Sequence, residues 1–304
     1  MTAPIFSVVI ANYNYGRFLD EAIQSVIAQN LGGLVELIIC DAASEDDSVS
    51  IIKKYANGLP PNTFYEEWIP QNNSRLTAHN SQLITWWCSE KDAGQSAAFN
   101  KGFSHARGKF LTWLNADDVF TRGALKSVLD VIEKNPKCEW IAGSSIYSDV
   151  NLKVTKCFCA HRFSDIRARW GFLSAWGPSS FFTKRLIDRV GGVDESLHYL
   201  MDIDLWHRFY SQCNARYAIT RKTLFVYRHH EASKMSGASV KISKRGIENR
   251  CRAKAEEHLV NRRYGINKDG WRYRLAHWAS FSFIDMIIAL FRTFYWRGCD
   301  AREI

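Results

Sequence analysis

The chain has 304 residues, 46% of them hydrophobic, 13% aromatic and 23% charged. A unit of that size buries roughly three quarters of its unfolded surface, so neither metal nor disulfide is required to hold it together, and the balance excludes disorder, collagen-like repeats and coiled coil. The formal charge is +9, and residues 241–304 carry 14 Lys+Arg against 7 Asp+Glu, so most of the excess sits in the last fifth of the chain; nucleic acid, an anionic membrane face or a phosphate-bearing substrate would each suit such a tail.

Residues 5–10 follow Met1 without a basic lead or a cleavage pattern, which argues against a secretory signal and for a cytoplasmic protein. The eight cysteines are scattered. Cys157 and Cys159 form a C-x-C without the usual zinc partners, and reduced, mostly buried thiols are the expected state.

Residues 6–12 (FSVVIAN) form an apolar, β-branched run of the kind found in buried parallel strands. Leu19, Ala22, Ile23, Val26 and Ile27 then recur at helical spacing. A second strand run, 35–40 (VELIIC), ends at Asp41. Ser44 followed three residues later by Asp47 resembles a capping box and opens a helix through Val49, Ile52 and Tyr55. Residues 57–82 are polar and read as a long excursion or an extra hairpin. Residues 83–88 (LITWWC) predict a third strand, 95–106 a helix, 109–114 (KFLTWL) a fourth strand, 125–132 an amphipathic helix and 138–147 a further strand.

Strands alternating with helices imply an α/β fold with an open, mostly parallel sheet and right-handed crossovers. Asn12 and Tyr13, then Asp41, then Glu90 to Asp92, then Asn115 to Asp118 each fall just past the carboxyl end of a predicted strand. Ligands bind along that edge in open α/β sheets, so four polar clusters converging there mark a site.

Asp117 and Asp118 follow an apolar strand on a short turn. Adjacent carboxylates repel unless donors or a cation neutralise them, and a hard ion such as Mg²⁺ or Mn²⁺ takes oxygen ligands and bridges to phosphate. A helix cap is the competing use of the same residues. No G-x-G-x-x-G and no Walker loop occurs, so a carboxylate-held metal is the remaining obvious means of holding a diphosphate.

The runs VVIANYN, ICDAASEDDS, SEKDAGQSAAFNKGFSHARGKFLTWLNADD, GGVDESLHYLMDIDLWHR and YRHHEASK occur in this order between residue 5 and about residue 234, with a gap near 57–82. Together they resemble the family 2 glycosyltransferases of the GT-A fold. The resemblance implies a Rossmann-like nucleotide-binding half (1–118), an acceptor-side half (119–235) and, beyond the resemblance, a basic, aromatic-rich helical tail (236–304). It implies nucleotide-sugar contacts from Ala11, Tyr13, Asp41, Asp92, Gln95, Asn115, Asp117 and Asp118. Tyr13 would stack on the base, and Asp41 would accept an imide N–H, favouring uracil or thymine.

By the same resemblance, Asn115, Ala116 and Asp117 stand at the D-x-D position with Asn replacing the first acid. Asp117 would then hold Mn²⁺ or Mg²⁺, with His230 as a further ligand and Arg228 or Lys234 meeting phosphate. Gly94 suits close backbone approach to the donor. Asp202 matches the family's catalytic acid; its competing use is a cap for a helix over residues 204–210. Asp204 is offset by about 200° if the segment is helical and points elsewhere. The implied activity is inverting, metal-dependent transfer of a sugar from a nucleoside-diphosphate donor to an acceptor hydroxyl, in cell-surface polysaccharide synthesis. The specificity for sugar and acceptor would come from residues 140–200, including 170–180.

Residues 278–291 are apolar apart from Ser280, Ser282 and Asp285, and Arg272, Arg274, Arg292 and Arg297 flank them. That run falls short of the roughly 20 residues a spanning helix needs. It suits an interfacial helix over 271–297 and a lipid-linked saccharide acceptor, or a helix packed on the core or on a second subunit. A nucleotidyltransferase would want a basic, glycine-rich loop where YNYGR stands at residues 13–17. A silent sugar-nucleotide-binding protein would bind without turnover. Nucleic acid is not expected, since no recognition motif accompanies the basic tail.

Overall fold

The computed structural model describes residues 3–64, 83–161, 177–233, 244–266, 268 and 283–304. Strand β1 (Phe6–Asn12) leads into helix α1 (Gly16–Ile27), β2 (Val35–Asp41) into α2 (Ser48–Ala56), and β3 (Ile84–Ser89) through α3 (Gln95–His105) into β4 (Phe110–Asn115). These four strands are parallel, in the order β3-β2-β1-β4. Both faces of the sheet are covered, which is why the strand runs are continuously apolar. Val8, Ile10, Leu37 and Ile39 pack with Leu19, Ile23 and Val26 of α1, whereas Val9 and Ile38 pack with Phe99 and Phe103 of α3. A Cβ on Gly102 would come within 2.3 Å of the Val9 side chain, so glycine lets α3 lie directly on β1.

The second half adds β5 (Val119–Phe120), α4 (Ala124–Lys134), β6 (Trp140–Ser148), β7 (Val154–Phe158), β8 (Ser180–Thr183), α5 (Lys184–Arg189), α6 (Met201–Ser211) and β9 (Tyr217–Arg228). It continues the sheet as β8-β6-β9-β5, with β7 also on β6. Here the pairing is mixed: β6 and β9 are parallel, while β4–β8, β6–β8, β6–β7 and β5–β9 are antiparallel. The α/β class is as the sequence predicts; the first four strands are all parallel, whereas the second half is mixed, with β6–β9 its parallel pair.

Helix α6 is fixed by tryptophan packing. Trp206 is fully buried and stacks on Trp113 of β4 at 5.6 Å and on Trp140 of β6 at 5.1 Å. The tail forms α7 (Lys244–Arg263), α8 (Phe283–Trp296) and a 3-10 turn at Ala301–Glu303. Helix α8 lies on β7, where the Cys157 N–H donates to Thr293 Oγ1 at 2.9 Å, and the chain after it bonds back through Val154 N to Cys299 O and Ala301 N to Leu152 O. All eight cysteines are free, and Cys157 and Cys159 are buried.

Two helix starts differ from the sequence reading. α2 begins at Ser48, not at a Ser44 capping box, because the Ser44 hydroxyl donates to Asp41 instead. α6 begins at Met201, so Asp202 lies inside its first turn and is not its cap, which is Leu200. Of the excursion at 57–82, only 57–64 lie within the described residues, as does only 177–180 of the stretch 170–180.

Candidate active site

β1 sits at the point where the connections diverge, with β2 on one side and β4 on the other, so a crevice opens at their carboxyl ends. The register lines up Asn12 with Asp41, Asp41 with Ser89, and Ala11 with Asn115 across that edge. Asp41 is 1% exposed. Its Oδ1 accepts from Asn12 Nδ2 at 2.6 Å and Ser44 Oγ at 2.5 Å, and its Oδ2 from Ser44 N at 3.0 Å and Ser89 Oγ at 2.6 Å. Asp41 therefore ties three strand ends together with both oxygens in use. Tyr13, just beyond, is 58% exposed, a ring left open to solvent by the left-handed turn at Asn14.

The third rim cluster is a short Asx turn. Asp92 Oδ1 accepts the Gly94 N–H at 2.8 Å, and Gly94 has φ +122°, which only glycine adopts without strain. Burial raises the Asp92 pKa. One residue on, Gln95 Nε2 donates to Asn115 Oδ1 at 2.6 Å, so the α3 N-terminus and the β4 turn are held as one wall.

In the acidic turn the two carboxylates have separate tasks. Asp118 is wholly buried, accepting from Asn115 Nδ2 at 2.7 Å and from the Arg228 main-chain N–H at 3.0 Å. Burial, followed by the neighbouring charge of Asp117, pushes its pKa well up. Asp118 thus clamps the turn to the end of β9. Asp117 is hydrogen-bonded to His230, with Oδ2 and Nε2 3.0 Å apart, the His230 ring buried and the Asp117 carboxylate partly open. Two cis ligands of an octahedral ion with bonds of about 2.1 Å stand about 3 Å apart, so this pair fits one edge of such an ion. Among the described residues no three His, Cys, Asp or Glu side chains converge as a closed cage.

His230 is set by a tight turn. Its ring lies on Phe18 at 4.6 Å and edge-on to Tyr15 at 5.7 Å, and the Tyr15 hydroxyl donates to Ala232 O at 3.1 Å. Ser233 Oγ accepts the His230 N–H at 3.2 Å. Arg228, which the resemblance set to meet phosphate, is instead buried. It is 3% exposed, lies 4.7 Å over the Phe18 ring and pairs with Glu21 at 2.6 Å, because burial leaves that acid as its nearest counter-charge. Lys234 lies outside the described residues.

Asp202 is half-buried in the first turn of α6. Its Oδ1 accepts the Ile203 N–H at 2.8 Å. Burial pushes its pKa up to about 6, opposed by main-chain hydrogen bonds that include one from Gly177. A Cβ on Gly177 would stand 2.8 Å from the Trp113 ring, so glycine is what brings that N–H close. The Tyr147 hydroxyl is pushed up to about 12 by burial and then by the charges of Asp118 and Asp202. Asp204 turns the other way. It is fully buried and bound by Arg208 Nε at 2.8 Å, Arg263 Nη1 at 2.6 Å and the Tyr264 hydroxyl at 2.8 Å.

The sequence reading overlooked Tyr147, Gly177 and Ser89, placed Asn12 on the edge without pairing it with Asp41, and gave Ser44 to a helix cap. An aromatic in a strand and a glycine beside a proline carry no spacing signal. The polar residue at each strand end was a signal that could have found Asn12 and Ser89 as partners of Asp41.

This chain matches the family described as glycosyl transferase family 2 over residues 7–190, and it belongs to that family. A glycosyltransferase of Rickettsia prowazekii is 22% identical over 68% of the chain and 59% of its own length. The minor teichoic acid biosynthesis protein GgaB of Bacillus subtilis is 24% identical over 79% of the chain and 24% of its own. The chain thus spans well under two thirds of the length of these relatives. In structure it is similar to S. aureus TarS 1-349 in complex with UDP-GlcNAc, with TM-score 0.54, 19% identity and coverage of 77% of this chain and 61% of that one. It is likewise similar to the mannosyltransferase PcManGT of Pyrobaculum calidifontis in complex with GDP-Man and Mn²⁺, with TM-score 0.55, 14% identity and coverage of 97% and 81%. These likenesses establish the fold, a GT-A-like α/β sheet flanked by helices. Asp202, His230 and the tail all lie beyond the matched family segment.

Proposed function

We propose that the chain is an inverting, metal-dependent glycosyltransferase that moves a sugar from a nucleoside-diphosphate donor, UDP or dTDP favoured, to an acceptor hydroxyl. The observation that carries this reading is the Asp117–His230 pair, 3.0 Å apart just past the carboxyl ends of β4 and β9. The exposed Tyr13 ring stacks on the nucleobase. The base imide N–H reaches Asp41 by taking the place of a serine hydroxyl, since both oxygens are already in use. Asp92, Gln95, Asn115 and the main chain at Ala11 face the ribose and sugar hydroxyls, and Asp118 holds the turn that presents Asp117.

A bound Mn²⁺ or Mg²⁺, held by Asp117 and His230, would supply Lewis-acid neutralisation of the departing diphosphate. Asp202, with its pKa near 6, is ionised at neutral pH yet basic enough to accept a proton. It takes the proton of the acceptor hydroxyl as that oxygen attacks the anomeric carbon from the face opposite the diphosphate. One displacement inverts that centre, and no covalent nucleophile is required. The bound UDP-GlcNAc, GDP-Man and Mn²⁺ named for the structural neighbours support a nucleotide-sugar donor and a metal. The teichoic acid relative supports a cell-surface polymer as the product.

A lipid-linked acceptor and a peripheral membrane contact complete the reading. Helix α8 turns Met286, Ile287, Leu290, Phe291, Phe294 and Tyr295 outward, Phe294 at 86% exposure, beside Arg292 and Arg297. Such a stripe suits the interface of an anionic bilayer. No helix among the described residues is long and apolar enough to cross a membrane. The deciding experiment is nucleotide release from a panel of UDP-, dTDP- and GDP-sugars with and without Mn²⁺, followed by NMR of the product's anomeric configuration. Release only from UDP- or dTDP-sugars with metal, and inversion, is expected; metal-independent release or retention overturns it.

A further inference from the structure

The base assigned to Asp202 is carried by a helix that does not cap itself. The residue at the α6 N-cap is Leu200, which has no side-chain acceptor. A carboxylate from the tail instead binds the segment that leads into the helix. Glu256 of α7 accepts three consecutive main-chain N–H groups, from His198 at 2.9 Å, Tyr199 at 2.7 Å and Leu200 at 3.1 Å. Successive N–H groups turned to one point make an anion-binding nest, and here a carboxylate of the same chain fills it two residues before Asp202.

A second tie holds the same helix from behind. Arg263 Nη1 bridges Asp194 Oδ2 at 2.8 Å and Asp204 Oδ1 at 2.6 Å. The Tyr264 ring stacks on His207 at 4.4 Å, while Val260 is buried in the core beside Leu205 and Phe209. On the opposite side the segment before α6 meets the donor wall. Ser96 Oγ donates to Leu197 O at 2.7 Å, and a Cβ on Gly94 would stand 3.6 Å from His198. Residues 197–200 are therefore held between the α3 N-terminus and the tail, and their position sets where Asp202 enters the crevice.

We infer that α7 is a brace for catalysis: Glu256, supported by Arg263, is a positioning residue that fixes the proposed base Asp202 against the donor wall. The tail then belongs to the working site. This inference rests on Asp202 being the base, and a double-mutant cycle separates the two. The assay is UDP release from an equimolar mixture of UDP-hexoses and UDP-N-acetylhexosamines with water as acceptor, alongside calorimetric UDP–Mn²⁺ binding and thermal melts. Glu256→Ala is expected to lower kcat by about 10²-fold, the size of effect a displacement of roughly 1 Å produces, with KM and UDP affinity within about twofold. Glu256→Gln, which keeps an acceptor oxygen, should recover part of the loss and serves in place of the alanine variant if that one fails to fold.

In an Asp202→Asn background the Glu256 substitutions should cost nothing further, since the brace acts only through Asp202. A merely structural role would instead lower activity equally in both backgrounds, or raise KM and weaken UDP binding. Either result, or parental kcat in the variants, overturns the inference while leaving Asp202 as the base. Full activity of Asp202→Asn alone overturns the reading beneath it.

Discussion

The parallel first half of the sheet (β1–β4) and the mixed second half (β5–β9) hold their polar residues in different ways. In the first, partners meet across neighbouring strands: Asn12, Asp41 and Ser89 stand in register at three adjacent strand ends, so the sheet itself assembles the pocket. In the second, the partners of Asp202 and His230 come from far along the chain. Asp117 meets His230 across 113 positions of sequence, and Glu256 reaches His198 across 58. The first half is a preformed cradle, and the second is a set of loops drawn into place by tail and core. Damage to the first should therefore abolish donor binding, whereas damage to the second should spare binding and slow the chemistry.

The largest effect is expected at the residue both halves share. Asp117→Ala should lower transfer on the order of 10³-fold, measured as initial rates at saturating Mn²⁺, with UDP affinity falling in parallel. On the acceptor side, Asp202→Asn should reduce kcat by about 10²–10⁴-fold, the range for loss of a general base, with donor KM little changed. The pH profile sharpens this. Because the base works as the carboxylate and its pKa lies near 6, kcat/KM for the donor should be level above that pH and fall tenfold per unit below it.

Packing tests how α6 is anchored. Trp206→Ala should cost about 3–5 kcal/mol in chemical denaturation, as for other large core aromatics. Gly177→Ala should cost about 1–3 kcal/mol by overpacking against Trp113. It should also move the acid limb of the pH profile upward, because the Gly177 hydrogen bond favours the ionised form of Asp202. The smallest effect on the fold is expected on α8. Replacing Phe291, Phe294 and Tyr295 by serine should leave stability within about 0.5 kcal/mol while removing binding to phosphatidylglycerol vesicles in a flotation assay. Unchanged flotation would sever the tail helix from any membrane role.

What could be read in advance follows the same division. The four parallel strands and α3 lay within a residue of their predicted places, while α1 and α2 were placed with their starts three and four residues off, since buried parallel strands and amphipathic helices announce themselves by local periodicity but helix starts do not. The carboxyl-edge position of Tyr13, Asp41, Asp92 and Asn115 followed from the same alternation. Ser44 misled because a serine three residues before an acid signals a cap only if no stronger acceptor is near, and Asp41 is nearer. The antiparallel additions β7 and β8 were invisible because short strands that pair with distant partners carry little pattern of their own. Arg228 was given to phosphate by the resemblance, and no spacing rule reveals that Phe18 and Glu21, one turn apart on a remote helix, enclose it. Glu256 stood among ten charged residues on a polar helix. Only the fold singles it out.

The most direct test of the central claim is calorimetric titration of UDP into the parent protein and the Asp117→Ala variant, each with Mn²⁺ and after chelation. The account predicts UDP binding that requires the metal in the parent and is absent or strongly weakened in the variant under both conditions. Equal affinity in all four titrations would contradict it.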